Sequence, residues 1–116
     1  MYESNGTLRV RTFTAGGALP ISDAVVRIMG ADEDNASFAR SLVTDRDGVG
    51  VFKNIPAPRI EYSLSPDTSE LPFATYELDV FADGYARQKI SDVTVFSGIE
   101  SFQPINLIPQ TQGDQI

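Results

Sequence analysis

This sequence predicts an all-β sandwich of seven to eight short antiparallel strands in a Greek-key arrangement. Three observations carry the fold class. Apolar and polar residues alternate with a period of two in several separate segments. Gly, Pro, Asn and Asp bound those segments at regular spacing. No stretch shows the 3.6-residue apolar stripe of an amphipathic helix. Short strands at even spacing are the signature of a sandwich or barrel.

The elements follow in order. Leu8, Val10 and Thr12 alternate with Arg9, Arg11 and Phe13 and read as a half-buried first strand. The turn residues Ala15 to Pro20 break it, and Pro20 fixes φ at the entrance to the next strand. Ala24, Val26 and Ile28 form the inward face of a second strand. The polar, acidic run from Gly30 to Ser37 reads as a hairpin loop with a solvated tip at Asp32, Glu33 and Asp34. A strand over Phe38 to Thr44 leads to Asp45-Arg46-Asp47-Gly48. There Asp caps local amides and Gly48 accepts positive φ, so a hairpin turn is expected.

Val49 to Ile55 is the next strand, expected to end at Pro56-Ala57-Pro58. Residues 59 to 73 read as a long connection with a short edge strand over Ile60 to Leu64. Ala74 to Phe81 is the clearest strand, with Tyr76, Leu78 and Val80 on one face and Thr75, Glu77 and Asp79 on the other. Gly84 is expected at a backbone conformation closed to side chains. Tyr85 is expected to fold its ring over the sandwich end. Ala86 to Ile90, Val93 to Phe96 and Phe102 to Ile108 complete the set. Residues 1–5 and 110–116 are expected to be flexible, leaving one domain over 6–109.

The 116 residues suffice for one core without metal or disulfide support. The chain has no Cys, no His and no Trp. Thiolate chemistry and Cys-ligated zinc are excluded, and the commonest general base is missing. Nine cations are scattered against 16 acids, for a net charge of -7, so nucleic acid is not an expected partner. No signal peptide or membrane-length apolar run is visible. The expected location is the cytoplasm or a larger assembly, unless the sequence is trimmed.

Several segments taken together resemble a known family. They are Gly6 to Val10, Leu19 to Val26, Thr44 to Gly48, and Ala82 to Tyr85, followed by Leu71 to Tyr76, Val95 to Gly98 and Phe102 to Pro109. Their order resembles the carboxypeptidase regulatory-like domains, which implies a prealbumin-like (transthyretin-like) β-sandwich. The second half resembles the version found in Firmicutes, including the N-terminal regions of clostridial spore cortex-lytic enzymes. The resemblance implies a non-catalytic accessory module without a cofactor. It also implies a structural or protein-interaction role in a bacterial spore, cell-envelope or phage-like assembly, or alternatively carbohydrate or peptidoglycan binding.

The candidate sites are few. Asp45 and Asp47 suggest a cation loop, but no closing Glu follows and a structural turn is expected. Catalysis would need an activated nucleophile, and only Ser63, Ser65, Lys53, Lys89, Glu77 and Asp79 offer one or a base. No enzyme activity is expected. Tyr62, Phe73, Tyr85 and Phe102 are the aromatic residues proposed for a contact surface, with the 59–73 loop as its centre. A protein partner, self-association or a cell-wall glycan are the partners that fit.

Overall fold

The computed structural model describes residues 2–59 and 72–110. Eight strands form two sheets: β1 (Ser4–Thr14), β2 (Leu19–Pro20), β3 (Val25–Gly30), β4 (Ala39–Val43), β5 (Val49–Ala57), β6 (Ala74–Phe81), β7 (Gln88–Val95) and β8 (Glu100–Asn106). Sheet A centres on β1, with β5 and the short β2 antiparallel to it and β8 parallel. Sheet B runs β4-β3-β6-β7, all antiparallel. The sandwich is as expected. The parallel pairing of the first and last strands has no local sequence signal, because a parallel ladder needs no turn between its members. Among the described residues, no helix is long and apolar enough to cross a membrane.

The core follows the period-two pattern. Leu8, Val10, Phe52, Ile55 and Ile105 from sheet A meet Val26, Ile28, Tyr76, Leu78, Val80 and Val95 from sheet B, all essentially without exposure. Burying each large side chain contributes about 1.5–3 kcal/mol. Tyr76 adds a polar strut across the sandwich, its hydroxyl donating to the Pro56 carbonyl at 2.6 Å. Burial disfavours the phenolate and pushes its pKa up to about 12.

Pro56 corrects the expected end of β5. The strand runs through it to Ala57, opposite Ser4. The even-numbered residues of β1 bond to β5, because the Asn5 carbonyl is taken on the other side by Gly98 N–H. Residues 55 and 57 therefore make the ladder, and the nitrogen of Pro56 faces the free edge, where no donor is needed. Ser4 and Asn5 belong to β1, so the expected flexible segment 1–5 is ordered at those positions. Residues 111–116 and the expected edge strand at 60–64 lie outside the described residues.

At one end of the sandwich, a buried polar knot ties β1 to the segments that flank β2, β3, β4 and β5. The Thr12 hydroxyl on β1 donates to the Ile21 carbonyl at 2.7 Å. The Thr44 hydroxyl, just past β4, donates to the same carbonyl at 3.0 Å and accepts the Ala24 N–H at 3.0 Å. Thr12 N–H donates to the Gly48 carbonyl at 2.7 Å, and Ile21 N–H to the Thr12 carbonyl at 3.0 Å. Both threonines are buried, and no buried side-chain polar atom among the described residues lacks a partner. Gly48 has φ +77, and a Cβ there would stand 2.3 Å from the Thr12 carbonyl. The turn sequence thus admits only glycine at this point.

Removing the Thr44 hydroxyl leaves the buried Ala24 N–H without its acceptor and the Ile21 carbonyl with one donor instead of two. Thr44→Val, nearly isosteric, is expected to lower stability by about 1–3 kcal/mol. Gly48→Ala is expected to cost about 2 kcal/mol or more. Urea unfolding followed by circular dichroism measures both. Unchanged midpoints would show that the knot contributes nothing.

Candidate functional site

The expected contact residues do not converge. Tyr62 lies outside the described residues, as does most of the 59–73 loop. Phe73 is half-buried against Phe96, ring centroids 5.6 Å apart. Tyr85 packs on the core from the β6–β7 turn, at the other end of that hairpin, and pairs by backbone with Pro109. Phe102 sits on the outer face of sheet A, 55% exposed. Of the three described residues, Phe73 and Tyr85 are half-buried in packing contacts, and Phe102 presents its ring to solvent.

Gly48 and Gly84 sit at positive φ, while Pro20, expected in a turn, lies in a short strand. Gly84 has φ +83. Pro20 forms β2 and pairs with Phe13. Asp45 uses one oxygen, Oδ1, to accept the N–H groups of Asp47 at 2.9 Å and Val49 at 3.0 Å, which closes the hairpin. Among the described residues, no group of three or more acidic side chains is placed to hold a metal ion.

Asp32 is not a solvated tip. Its Oδ1 accepts the N–H groups of Asp34 and Asn35, and its Oδ2 accepts the Tyr2 hydroxyl at 3.0 Å and the Thr75 N–H at 3.1 Å. Asn35 is fully buried and donates to the Thr75 carbonyl at 3.0 Å. Burial, followed by the Asp32 hydrogen bond, raises the Tyr2 pKa well above its ordinary value. The loop is tied to β6 by groups far apart in sequence, which the acidic run does not reveal.

A shallow cleft of about 370 Å³ lies at the same end as the threonine knot, lined by Pro20, Ile21, Asp23, Ala82, Asp83 and Tyr85. It is open and polar, and its two carboxylates stand on exposed residues.

The outer face of sheet A is the more developed surface. With Leu8, Val10 and Thr12 turned inward, Arg9 and Arg11 point outward. Register places Val51 and Phe102 on either side of Arg9, and Val49 and Pro104 on either side of Arg11. Arg9 pairs with Glu100 at 3.3 Å in the open, an interaction of small energy that still orients the guanidinium. Arg11 donates to the Gly17 carbonyl at 3.2 Å and lies 5.3 Å from the Phe13 ring centroid. Two fixed arginines among valines, proline and an exposed phenylalanine match the composition of protein interfaces, which are rich in aromatics and Arg.

On the opposite sheet, Asp79 lies on the outer face yet is only 5% exposed, because Arg87 covers it. Arg87 donates Nε to Oδ1 at 2.9 Å and a second nitrogen to Oδ2 at 2.5 Å, and stacks on Phe81 with 4.5 Å to the ring centroid. The hydrogen bonds to Arg87 pull the Asp79 pKa below its ordinary 3.8 against desolvation, and Lys89 and Arg27 reinforce them.

No protein-family model matches this chain, and no curated protein matches it in sequence. Solved structures do. Catechol 1,2-dioxygenase from Pseudomonas arvilla aligns with a TM-score of 0.62 at 14% identity, over 98% of this chain and 55% of that one. Hydroxyquinol 1,2-dioxygenase from Pseudomonas putida aligns at 0.60 and 9% identity, over 95% and 59%. The Bacillus anthracis TIE protein aligns at 0.58 and 17% identity, over 92% of this chain and 17% of that one. The likeness shows the β-sandwich fold. The chain spans between about a sixth and three-fifths of the lengths of these proteins.

The comparisons correct one expectation. The absence of enzyme activity was inferred from missing His and Cys and from the resemblance. Catechol and hydroxyquinol dioxygenases, which are enzymes, carry this fold over half or more of their length, so the fold does not mark a module without chemistry. At 9–16% identity that likeness assigns no reaction to this chain.

The Asp79–Arg87 pair yields a pH prediction. A carboxylate whose folded pKa is depressed stabilises the fold above its ordinary value, and that contribution fades as pH falls through the folded pKa. Arg87→Ala is expected to raise the Asp79 pKa in an NMR titration and to lower the urea midpoint at pH 7. The difference from wild type should narrow below pH 3.8. An unmoved Asp79 resonance midpoint would contradict the pairing.

Proposed function

We propose that this chain is a protein-interaction module of a larger assembly, docking a partner protein through the outer face of sheet A. The carrying observation is that face: exposed Arg9 and Phe102 and half-buried Arg11, set among Val49, Val51 and Pro104 across the central strand β1 and its two neighbours. Protein interfaces are enriched in aromatic residues and arginine, the residue types this face presents. The fold also recurs as one stretch of much longer chains, including the Bacillus anthracis TIE protein. The resemblance to carboxypeptidase regulatory-like domains of Firmicutes supports the same reading and favours a spore, cell-envelope or phage-like setting. Glycan binding has weaker support, since Phe102 and Phe81 expose their rings on opposite sheets and offer no shared stacking platform.

The double variant Arg9→Glu/Phe102→Ser tests the proposal. Immobilised wild type should retain a defined protein from an extract of the source organism, and the double variant should lose at least about nine-tenths of it with an unchanged circular dichroism spectrum. Equal retention by both proteins overturns this docking face. Retention of purified peptidoglycan in place of any protein would move the assignment to a glycan.

A further inference from the structure

Every open sheet has edges, and an exposed, regular edge is a template for another strand. Three of the four edges here are interrupted. On β8, Leu107 N–H bonds to the Phe13 carbonyl, so odd-numbered residues face β1 and Pro104 faces outward. Its position lacks a donor, and Gln103 Nε2 covers its carbonyl at 3.0 Å. On β5, the outward groups of Val49 are taken by Asp45, the Lys53 carbonyl by Arg40, and the Pro56 carbonyl by Tyr76. On β7, a bulge with Asp92 at φ +60 breaks the ladder opposite Glu77.

The β4 edge differs. It pairs with β3 without a register shift from Ala39 to Val43. Thr44 N–H bonds to the Ala24 carbonyl and the Phe38 carbonyl accepts Gly30 N–H, so even-numbered residues face β3. The N–H and C=O groups of Ala39, Ser41 and Val43 point to the free side. Among the described residues nothing bonds to them, and all three residues are exposed, Val43 by 59%.

We propose that a second copy of this chain pairs on that edge, β4 against β4 and antiparallel about a two-fold axis centred on Ser41. The sequence of the edge is self-complementary in this register. Ser41 faces Ser41 of the second copy and Ala39 faces Val43, so every outward donor meets an outward acceptor. On the inner face, Arg40 falls opposite Leu42 rather than another arginine, so no like charges oppose each other. Carried past the strand ends, the same register brings the turn holding Arg46 toward the acidic loop of the other copy, with Glu33 and Asp34. The exposed row Val43, Val25 and Phe81 on the outer face of sheet B then continues across the seam. A closed two-fold contact uses up both β4 edges and stops growth at the dimer. This contact lies on the sheet opposite the face assigned to a partner protein and stands without that assignment.

Sedimentation velocity and a single cysteine test it. The wild-type chain should show a concentration-dependent dimer. Ser41→Pro, which removes only an outward N–H, should reduce the dimer fraction at least about tenfold with an unchanged urea midpoint. The chain has no native Cys. Ser41→Cys with oxidised glutathione should give a disulfide-linked dimer, because paired Cα atoms at about 5.5 Å suit a disulfide. Asp83→Cys serves as the collision control. A wild type monomeric at millimolar concentration, or Ser41→Cys crosslinking no more than Asp83→Cys, overturns the proposal. If Ser41→Pro fails to fold, the cysteine pair still decides.

Discussion

Two buried hydroxyls, Thr12 and Thr44, converge on the single carbonyl of Ile21, and the arrangement of both sheets at that end depends on this meeting. A buried carbonyl or N–H without a partner costs more than a hydrogen bond returns on average, so the groups at this corner must all be satisfied together. Each belongs to a different segment: β1, the chain after β2, the start of β3, and the turn between β4 and β5. Satisfying them fixes where the chain leaves sheet A after β2 and where it returns at β5. Gly48 completes the constraint, because its carbonyl accepts from Thr12 and its missing side chain lets the two backbones touch.

From that corner the rest follows by packing. The inward residues of β1 and β5 can meet those of β3 and β6 only if the crossings are set, and then Tyr76 reaches Pro56 on the other sheet. The proposed docking surface is what this core leaves over. Arg9 and Arg11 point outward because Leu8, Val10 and Thr12 point in, so the candidate docking face is the complement of the core pattern on the same strand. The exposure of β4 has a similar origin. Leu42 fills the space above Gly50, where a Cβ would stand 2.4 Å from it, which seals the inner side of the strand and leaves its outer edge bare.

Much of the fold was legible because period two is a local property. The inward sets Leu8-Val10-Thr12, Ala24-Val26-Ile28 and Tyr76-Leu78-Val80 are all buried, and the turns at Gly48 and Gly84 take the positive φ their sequences announce. What escaped depends on partners distant along the chain. Asp32 and Asn35 look like loop residues until Thr75, some forty residues on, is seen to bond to both. Asp79 alternates outward as expected, yet Arg87 buries it. Pro56 reads as a strand terminator unless its nitrogen is known to face an edge. Of the proposed docking face, only Phe102 was legible. The arginines beside it were counted as scattered cations, and only the register shows them framed by Val49, Val51 and Pro104.

Native-state hydrogen exchange at the knot tests its primacy most directly. The amides of Thr12, Ile21, Ala24 and Thr44 are all hydrogen-bonded there. They are expected to exchange only through global unfolding, with the same denaturant dependence as the core amides of β6. Exchange of these four through a local opening, while the β6 amides stay protected, would contradict the claim that this corner organises the sandwich.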